Sequence, residues 1–205
     1  HPRCDSLERL AADDTVVVVG DSVFDFNGDV CGDVGDFISL ARDARIEDRA
    51  VGGTWLDHPS NFDILEQYTS GPWSWVIVDG GANDLNEGCG CDCADELDTL
   101  VSEDTLAGAM PTLVETALAD GAKVLLFGYY DPAPGSEFAA CQDELVIMSS
   151  RYQALAERLE GVTFVDGRDI VSAQTQPEAF HGAGIHLTPV GAELVANAML
   201  ETMSA

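Results

Sequence analysis

A serine follows glycine and aspartate directly after the run Thr15-Val16-Val17-Val18-Val19, in Gly20-Asp21-Ser22-Val23. A hydroxyl placed where a buried strand ends and the chain must turn is a candidate nucleophile, because ligands of open parallel α/β sheets bind beyond the carboxyl ends of the strands. Serine attacks only when a base takes its proton, so a histidine must reach it. The chain has four: His1, His58, His181 and His186. His186 stands in Gly184-Ile185-His186-Leu187-Thr188-Pro189-Val190-Gly191, where Thr188 reads as a helix N-cap and Pro189 as the first helical residue, a rigid perch for a general base. His181 flanks the same turn without the Leu-Thr-Pro context and is the lesser candidate. Acyl transfer further needs donors aimed at the developing oxyanion. Val51-Gly52-Gly53-Thr54 offers backbone N–H groups, and Gly80-Gly81-Ala82-Asn83-Asp84 offers the Asn83 amide. Each alone is also an ordinary turn sequence, and their common position just past a strand is what raises them.

The elements that must position these residues are legible. Short apolar runs at Thr15 to Val19, Ala44 to Arg49, Trp75 to Asp79, Lys123 to Gly128 and Val162 to Asp166 read as strands. Between them, Asp36 to Arg42, Asp63 to Tyr68, Ser102 to Ala119, Asp143 to Leu159 and Pro189 to Met203 carry apolar residues at helical spacing. In the third, Leu106, Met110, Leu113, Val114 and Ala117 share a predicted face; in the fourth, Leu145, Ile147 and Met148 read as core. Alternation of this kind predicts an α/β fold, a three-layer α/β/α sandwich around a five-stranded parallel sheet, as one domain over residues 1–205. Gly28 to Gly35, Asn86 to Leu97 and Asp131 to Cys141 read as irregular and should border one crevice. Tyr129 and Tyr130 follow the fourth strand, where one of them can face that crevice, while Trp75 reads as core. Asp79, Asp84, Asp166 and Asp169 fall at strand ends, where carboxylates cap helices or tie loops.

Composition narrows the function classes. Thirty-seven Asp and Glu against 9 Lys and Arg give a formal net charge of -28. Such a surface repels polyphosphate, so nucleic acid and anionic membranes are poor partners. The longest apolar runs fall far short of the ~20 residues of a membrane span. Six cysteines, Cys4, Cys31, Cys89, Cys91, Cys93 and Cys141, lie in loops or at element ends and suit three disulfides in an oxidising compartment. A thiolate metal site on Cys89-Gly90-Cys91-Asp92-Cys93 is the alternative, although zinc sites favour Cys-x-x-Cys pairs. Cysteines, charge and a sequence that begins at His1 rather than Met lead to the expectation of a secreted or periplasmic protein.

Taken in order, these segments resemble the SGNH hydrolases, also called GDSL esterases and lipases. The resemblance spans Gly20 to His186. It implies Ser22 as nucleophile, with Asp25 at an acidic position that often follows, and a backbone N–H from Gly53, with Gly52 as fallback, as an oxyanion donor beside that of Ser22. It assigns Asn83 of Gly81-Ala82-Asn83-Asp84 as the side-chain donor and His186 as the base, with no metal or organic cofactor. The implied substrate is a carboxylic ester or thioester: a small acylated molecule, a lipid or an acetylated glycan.

One departure bears on mechanism. The family usually carries aspartate three residues before the histidine, and this chain has Ala183. A triad carboxylate fixes the histidine tautomer and stabilises the imidazolium, and its loss in a serine protease costs roughly 10⁴-fold in turnover. Three accounts compete: a Ser-His dyad supported by a backbone carbonyl, a substitute carboxylate from Glu178, Asp131 or Asp169, or a catalytically weak module that binds an acylated glycan or lipid.

Overall fold

Five valine-rich or apolar segments become strands because both of their faces are covered: β1 (Thr15–Val19), β2 (Arg45–Asp48), β3 (Trp75–Val78), β4 (Lys123–Gly128) and β5 (Val162–Asp166). In the computed structural model, which describes residues 14–42, 44–57, 63–92, 94–182 and 184–204, they pair in parallel in the order β2-β1-β3-β4-β5. The predicted strands recur, with β2 one residue shorter at each end and β3 ending at Val78. β2 pairs only with β1, and its residues stay partly exposed.

The helices are α1 (Ser22–Asp25), α2 (Val34–Arg42), α3 (Ile64–Gln67), α4 (Ala94–Leu100), α5 (Ala109–Ala119), α6 (Gln142–Arg158) and α7 (Pro189–Met203). The crossover from β1 to β2 runs one way along the sheet and the later ones run the other. Right-handed connections therefore set α2 on one face and the α4 to α6 group on the opposite face. α7 packs on α2, and α4 packs on both α5 and α6, which lie on β4, and this gives the three layers. The direction of winding reverses between β1 and β3, so the crevice of the sheet opens where the Ser22 and Asn83 segments leave it. Among the described residues no helix is long and apolar enough to cross a membrane.

Four local expectations are corrected. Leu106 is exposed outside α5, because Asp104 Oδ1 accepts from the Ser102 hydroxyl and from Leu106 N–H, holding residues 102–108 in turns instead of a helix. Ile147 is exposed: the buried stripe of α6 runs through Leu145, Met148, Tyr152 and Leu155, and Ile147 sits on the other side. The stretch from Asn86 to Leu97 is not wholly irregular, since a π-helical turn covers Asp84–Gly88 and α4 begins at Ala94. Ser22 opens a short helix, capped by the Asp21 carboxylate, which accepts from Val23 N–H at 2.9 Å.

Cys91 is disulfide-bonded to Cys141, and no described cysteine is free. Cys91 therefore cannot supply a thiolate to a metal, which removes the Cys89 to Cys93 metal site. Cys4, Cys93, His1, His58 and Ala183 lie outside the described residues.

Candidate active site

Gly20 is the first constraint on the candidate nucleophile, Ser22. A Cβ there would collide with Asp79 Oδ1, so only glycine lets the chain pass over β3 into the turn. Gln67 of α3, fully buried, grips that glycine at both ends: its Oε1 accepts from Gly20 N–H at 2.7 Å and its Nε2 donates to Gly20 C=O at 2.9 Å. Asp21 N–H donates to Asp79 Oδ1 at 2.9 Å, and Asp21 Oδ2 accepts from the Tyr129 hydroxyl at 2.6 Å. Both carboxyls are buried, and burial pushes both pKa values up; at Asp79 the neighbouring Asp21 charge adds to the rise. The turn carrying Ser22 is thus fixed by side chains from α3 and from the residues that directly follow β3 and β4. The Ser22 N–H itself donates to nothing among the described residues.

His186 meets this turn across 164 residues of chain: its Nε2 lies 3.1 Å from Ser22 Oγ. With the proton on Nδ1, Nε2 accepts the seryl hydrogen. The ring stacks on Phe26, centroids 4.2 Å apart and planes within 4°. The His186 arm is pinned on three sides. The Tyr130 hydroxyl donates to the Ile185 carbonyl, Asn27 Nδ2 donates to the Leu187 carbonyl at 2.8 Å, and His181 N–H donates to the His186 carbonyl at 2.9 Å. Thr188 caps α7 and Pro189 opens it, as the sequence predicts. His181 is occupied elsewhere, its Nε2 3.0 Å from Asn27 Oδ1.

Among the described residues no acceptor lies within hydrogen-bond reach of His186 Nδ1. Glu178, Asp131 and Asp169 are exposed and make no bond to the ring; Asp131 accepts instead from Gln142 at 2.7 Å. Burial of the half-covered ring therefore lowers the His186 pKa from 6.5, while the negative charge of Glu137 works in the other direction. Glu137 was not legible as relevant, since nothing in its local sequence marks it.

The donors sort themselves by what they are already bonded to. Gly52 N–H donates to Asp25 Oδ2 at 2.9 Å, so that hydrogen is committed. Gly53, at φ +78 and with open space where a Cβ would stand, has an N–H that donates to nothing among the described residues. Asn83 is buried, and its Nδ2 donates one hydrogen to the Thr54 carbonyl at 2.8 Å, leaving the second hydrogen unassigned. Thr54 Oγ1 has the Val51 carbonyl at 2.7 Å and the Gly20 carbonyl at 3.1 Å as acceptors for its one hydrogen, and it receives from Gln67 Nε2. Asp84 holds the same loop from below, accepting from Leu56 and Asp57 N–H, and burial raises its pKa to about 6.

Ser22, Asn83, Tyr129 and Tyr130 line one pocket, so both tyrosines face the crevice. Of the three irregular stretches, the third contributes Pro132 and Phe138 to that pocket, the second is tied to the third through Cys91 and Cys141, and Gly32 of the first lies against Pro189 of the His186 arm. Sequence reasoning missed Gln67, Phe26 and Asn27. The last two directly follow α1, yet only contacts with residues near 181–187 give them a role.

A family model for GDSL-like lipases and acylhydrolases matches residues 18–194. The chain belongs to that family. GDSL membership makes it a hydrolase of the esterase and acylhydrolase kind. No curated protein sequence matches the chain. Among solved structures, a candidate SGNH hydrolase from Slackia heliotrinireducens superposes with a TM-score of 0.69 at 19% identity, covering 94% of this chain and 100% of its own. LAE5, an alpha/beta hydrolase enzyme from the metagenome of Lake Arreo, superposes with a TM-score of 0.67 at 19% identity over 96% of this chain and 97% of its own. The psychrotrophic esterase EstA from Pseudoalteromonas sp., in a structure inhibited by monoethylphosphonate, gives 0.56 at 16% identity over 94% of this chain and 97% of its own. At these identities the likeness is one of fold.

Proposed function

We propose that this GDSL hydrolase cleaves carboxylic esters through a Ser22–His186 dyad, with an oxyanion site made by the N–H groups of Ser22 and Gly53 and the free hydrogen of the Asn83 amide. The observation that carries the reading is His186 Nε2 at 3.1 Å from Ser22 Oγ, beside a buried amide that another carbonyl already orients. Ser22 Oγ bonds to the acyl carbon as its proton passes to Nε2, and the carbonyl oxygen becomes the oxyanion. The imidazolium returns the proton to the alcohol oxygen as the ester C–O bond breaks, leaving acyl-Ser22. Water then gives a proton to Nε2 and attacks, and the acid departs as Ser22 recovers its hydrogen.

The missing carboxylate is offset in orientation by Phe26, whose stacked face and the pinned 185–187 arm hold the ring with no bond to Nδ1 from the described residues. Among the described residues no carboxylate replaces its lost charge, so turnover below that of a full triad is expected. Substrates are small acylated alcohols, lipids or acetylated glycans, and the Cys91–Cys141 bond and acidic surface fit work outside the cytoplasm.

The test is hydrolysis of a chromogenic acetate ester. Ser22→Ala should reduce kcat/KM by about 10³-fold or more, and His186→Ala comparably, because members of such a unit fail together. Hydrolysis that survives Ser22→Ala would refute the assignment. Absence of turnover with retained binding of an acylated ligand would favour the weak binding module instead.

A further inference from the structure

The turn that carries Ser22 rests on a carboxyl that the proposed reaction does not use. Asp79 directly follows β3, is wholly buried, and lies so close under the turn that a Cβ on Gly20 would collide with its Oδ1. That oxygen accepts at 2.9 Å from the N–H of Asp21, the residue next to Ser22. The other oxygen, Oδ2, is buried as well and has no hydrogen-bond partner among the described residues.

The surroundings make that bare oxygen informative. The charges that act most on Asp79 are those of Asp21 and of Asp48 at the end of β2, both of them carboxylates. Among the described residues no lysine or arginine forms an ion pair with Asp79 or Asp21. The remaining titratable groups nearby are the hydroxyls of Tyr129 and Tyr130, after β4, and of Tyr152 on α6. They donate to Asp21, to the Ile185 carbonyl and to the Gly80 carbonyl, so none is left for Asp79. A buried carboxylate with no cation takes up a proton sooner than stay charged, and two carboxyls in one space do not both ionise.

Hydrogen bonds decide which of the two keeps the charge. The Asp21 carboxylate accepts from Val23 N–H at 2.9 Å and from the Tyr129 hydroxyl at 2.6 Å, and both bonds favour its anion. Asp79 Oδ2 accepts none, so the proton belongs there. Burial raises the pKa of both groups, and it lifts Asp79 well above the ordinary carboxyl value, with the Asp21 charge next in effect.

We infer that Asp79 is a positioning residue that works as a neutral acid: it carries the one proton of the Asp21–Asp79 pair, and holds Asp21 N–H, and through it Ser22, without setting a second negative charge under the nucleophile. The link to turnover rests on the esterase reading above, while the proton itself does not. An unfolded chain gives up this proton at about pH 4, and the folded chain keeps it to higher pH. The folded state therefore binds more protons above that point, and each further pH unit favours unfolding by about tenfold until Asp79 ionises in the folded chain.

The experiment compares urea unfolding of the wild type and of Asp79→Asn, whose side-chain oxygen still accepts from Asp21 N–H but whose amide cannot ionise. The ratio of the wild-type unfolding constant to that of Asp79→Asn should rise by about tenfold per pH unit between pH 5 and pH 7. A flat ratio overturns the inference, as does a slope that survives in Asp79→Asn and disappears in Asp21→Asn, which would place the proton on Asp21. Hydrolysis of p-nitrophenyl acetate reads the positioning. Asp79→Ala leaves Asp21 N–H unpaired and should lose about 10²-fold in kcat, and Asp79→Asn should recover most of that loss. A folded Asp79→Ala with wild-type kcat overturns the positioning role, and an Asp79→Asn as slow as a catalytically crippled Asp79→Ala overturns the neutral acid. If no chain hydrolyses the ester, or if hydrolysis persists in Ser22→Ala, the esterase reading falls and the unfolding ratio decides Asp79 by itself.

Discussion

Gln67→Met should weaken both the fold and the reaction, although Gln67 touches no reacting atom. Its amide makes three bonds in a fully buried place: from Gly20 N–H at 2.7 Å, to Gly20 C=O at 2.9 Å and to Thr54 Oγ1 at 3.2 Å. Methionine fills a similar volume and makes none of them. Gly20 C=O keeps a partner in Val51 N–H, so its loss is small. Gly20 N–H has no substitute acceptor and is left buried and unpaired, at about 1–3 kcal/mol, with the other two bonds adding about 0.5–1.5 kcal/mol between them. The expected loss is about 2–4 kcal/mol in urea unfolding followed by circular dichroism. Gly20 precedes Ser22 by two residues and Thr54 orients Asn83, so a small shift moves nucleophile and oxyanion donor together. A misplacement of about 1 Å lowers kcat by about 10²-fold. Gln67→Glu separates positioning from mere packing. Its carboxyl still accepts from Gly20 N–H, and donates to Gly20 C=O only when protonated, so stability, and activity relative to wild type at the same pH, should be better near pH 5 than near pH 8, because burial favours the neutral carboxyl. A Gln67→Met protein with unchanged urea midpoint and unchanged kcat would refute the reasoning.

Three further outcomes follow from His186 and from the disulfide. Burial holds the His186 pKa below 6.5, and the base must be neutral to act, so kcat/KM should be flat through neutrality and fall on an acid limb centred below 6.5; a limb centred above 7 would mean that a carboxylate engages Nδ1, and Ala183→Asp should move the limb upward in that way. Because that folded pKa is lowered, the unfolded chain binds more protons below 6.5 and His186 costs stability as the pH falls. Replacing Cys91 and Cys141 by serine removes a closure over 50 residues, which chain entropy values at about 4 kcal/mol, read from the urea midpoint of oxidised wild type against the variant.

Much of this was legible before any coordinates. Strand positions follow from short continuous apolar runs and helix positions from the 3.6-residue period, both of which need only local sequence, and the five strands and α7 fall where the pattern sets them. Where side chains bond to their own backbone the pattern misleads, as at Ser102 and Asp104, which turn the chain where a helix is expected. Ser22, Asn83 and His186 were identifiable because strand-end glycines and a Thr-Pro helix start are local signals. Gln67 was not: one glutamine in a short apolar helix looks like any other until Gly20 and Thr54 are packed against it.

The residue types of the site, the order of its segments and the sheet that presents them were therefore written in the chain itself, in runs of valine, glycines at turns and a serine at a strand end. Only the tertiary structure decided which glycine N–H stays free, since Gly52 is taken by Asp25 while Gly53 is not. It also decided that no carboxylate among the described residues reaches His186 Nδ1, and that Cys91 joins Cys141. Each of these depends on which distant segment fills the space beside a polar atom. Burial periodicity carries no information about the identity of that neighbour.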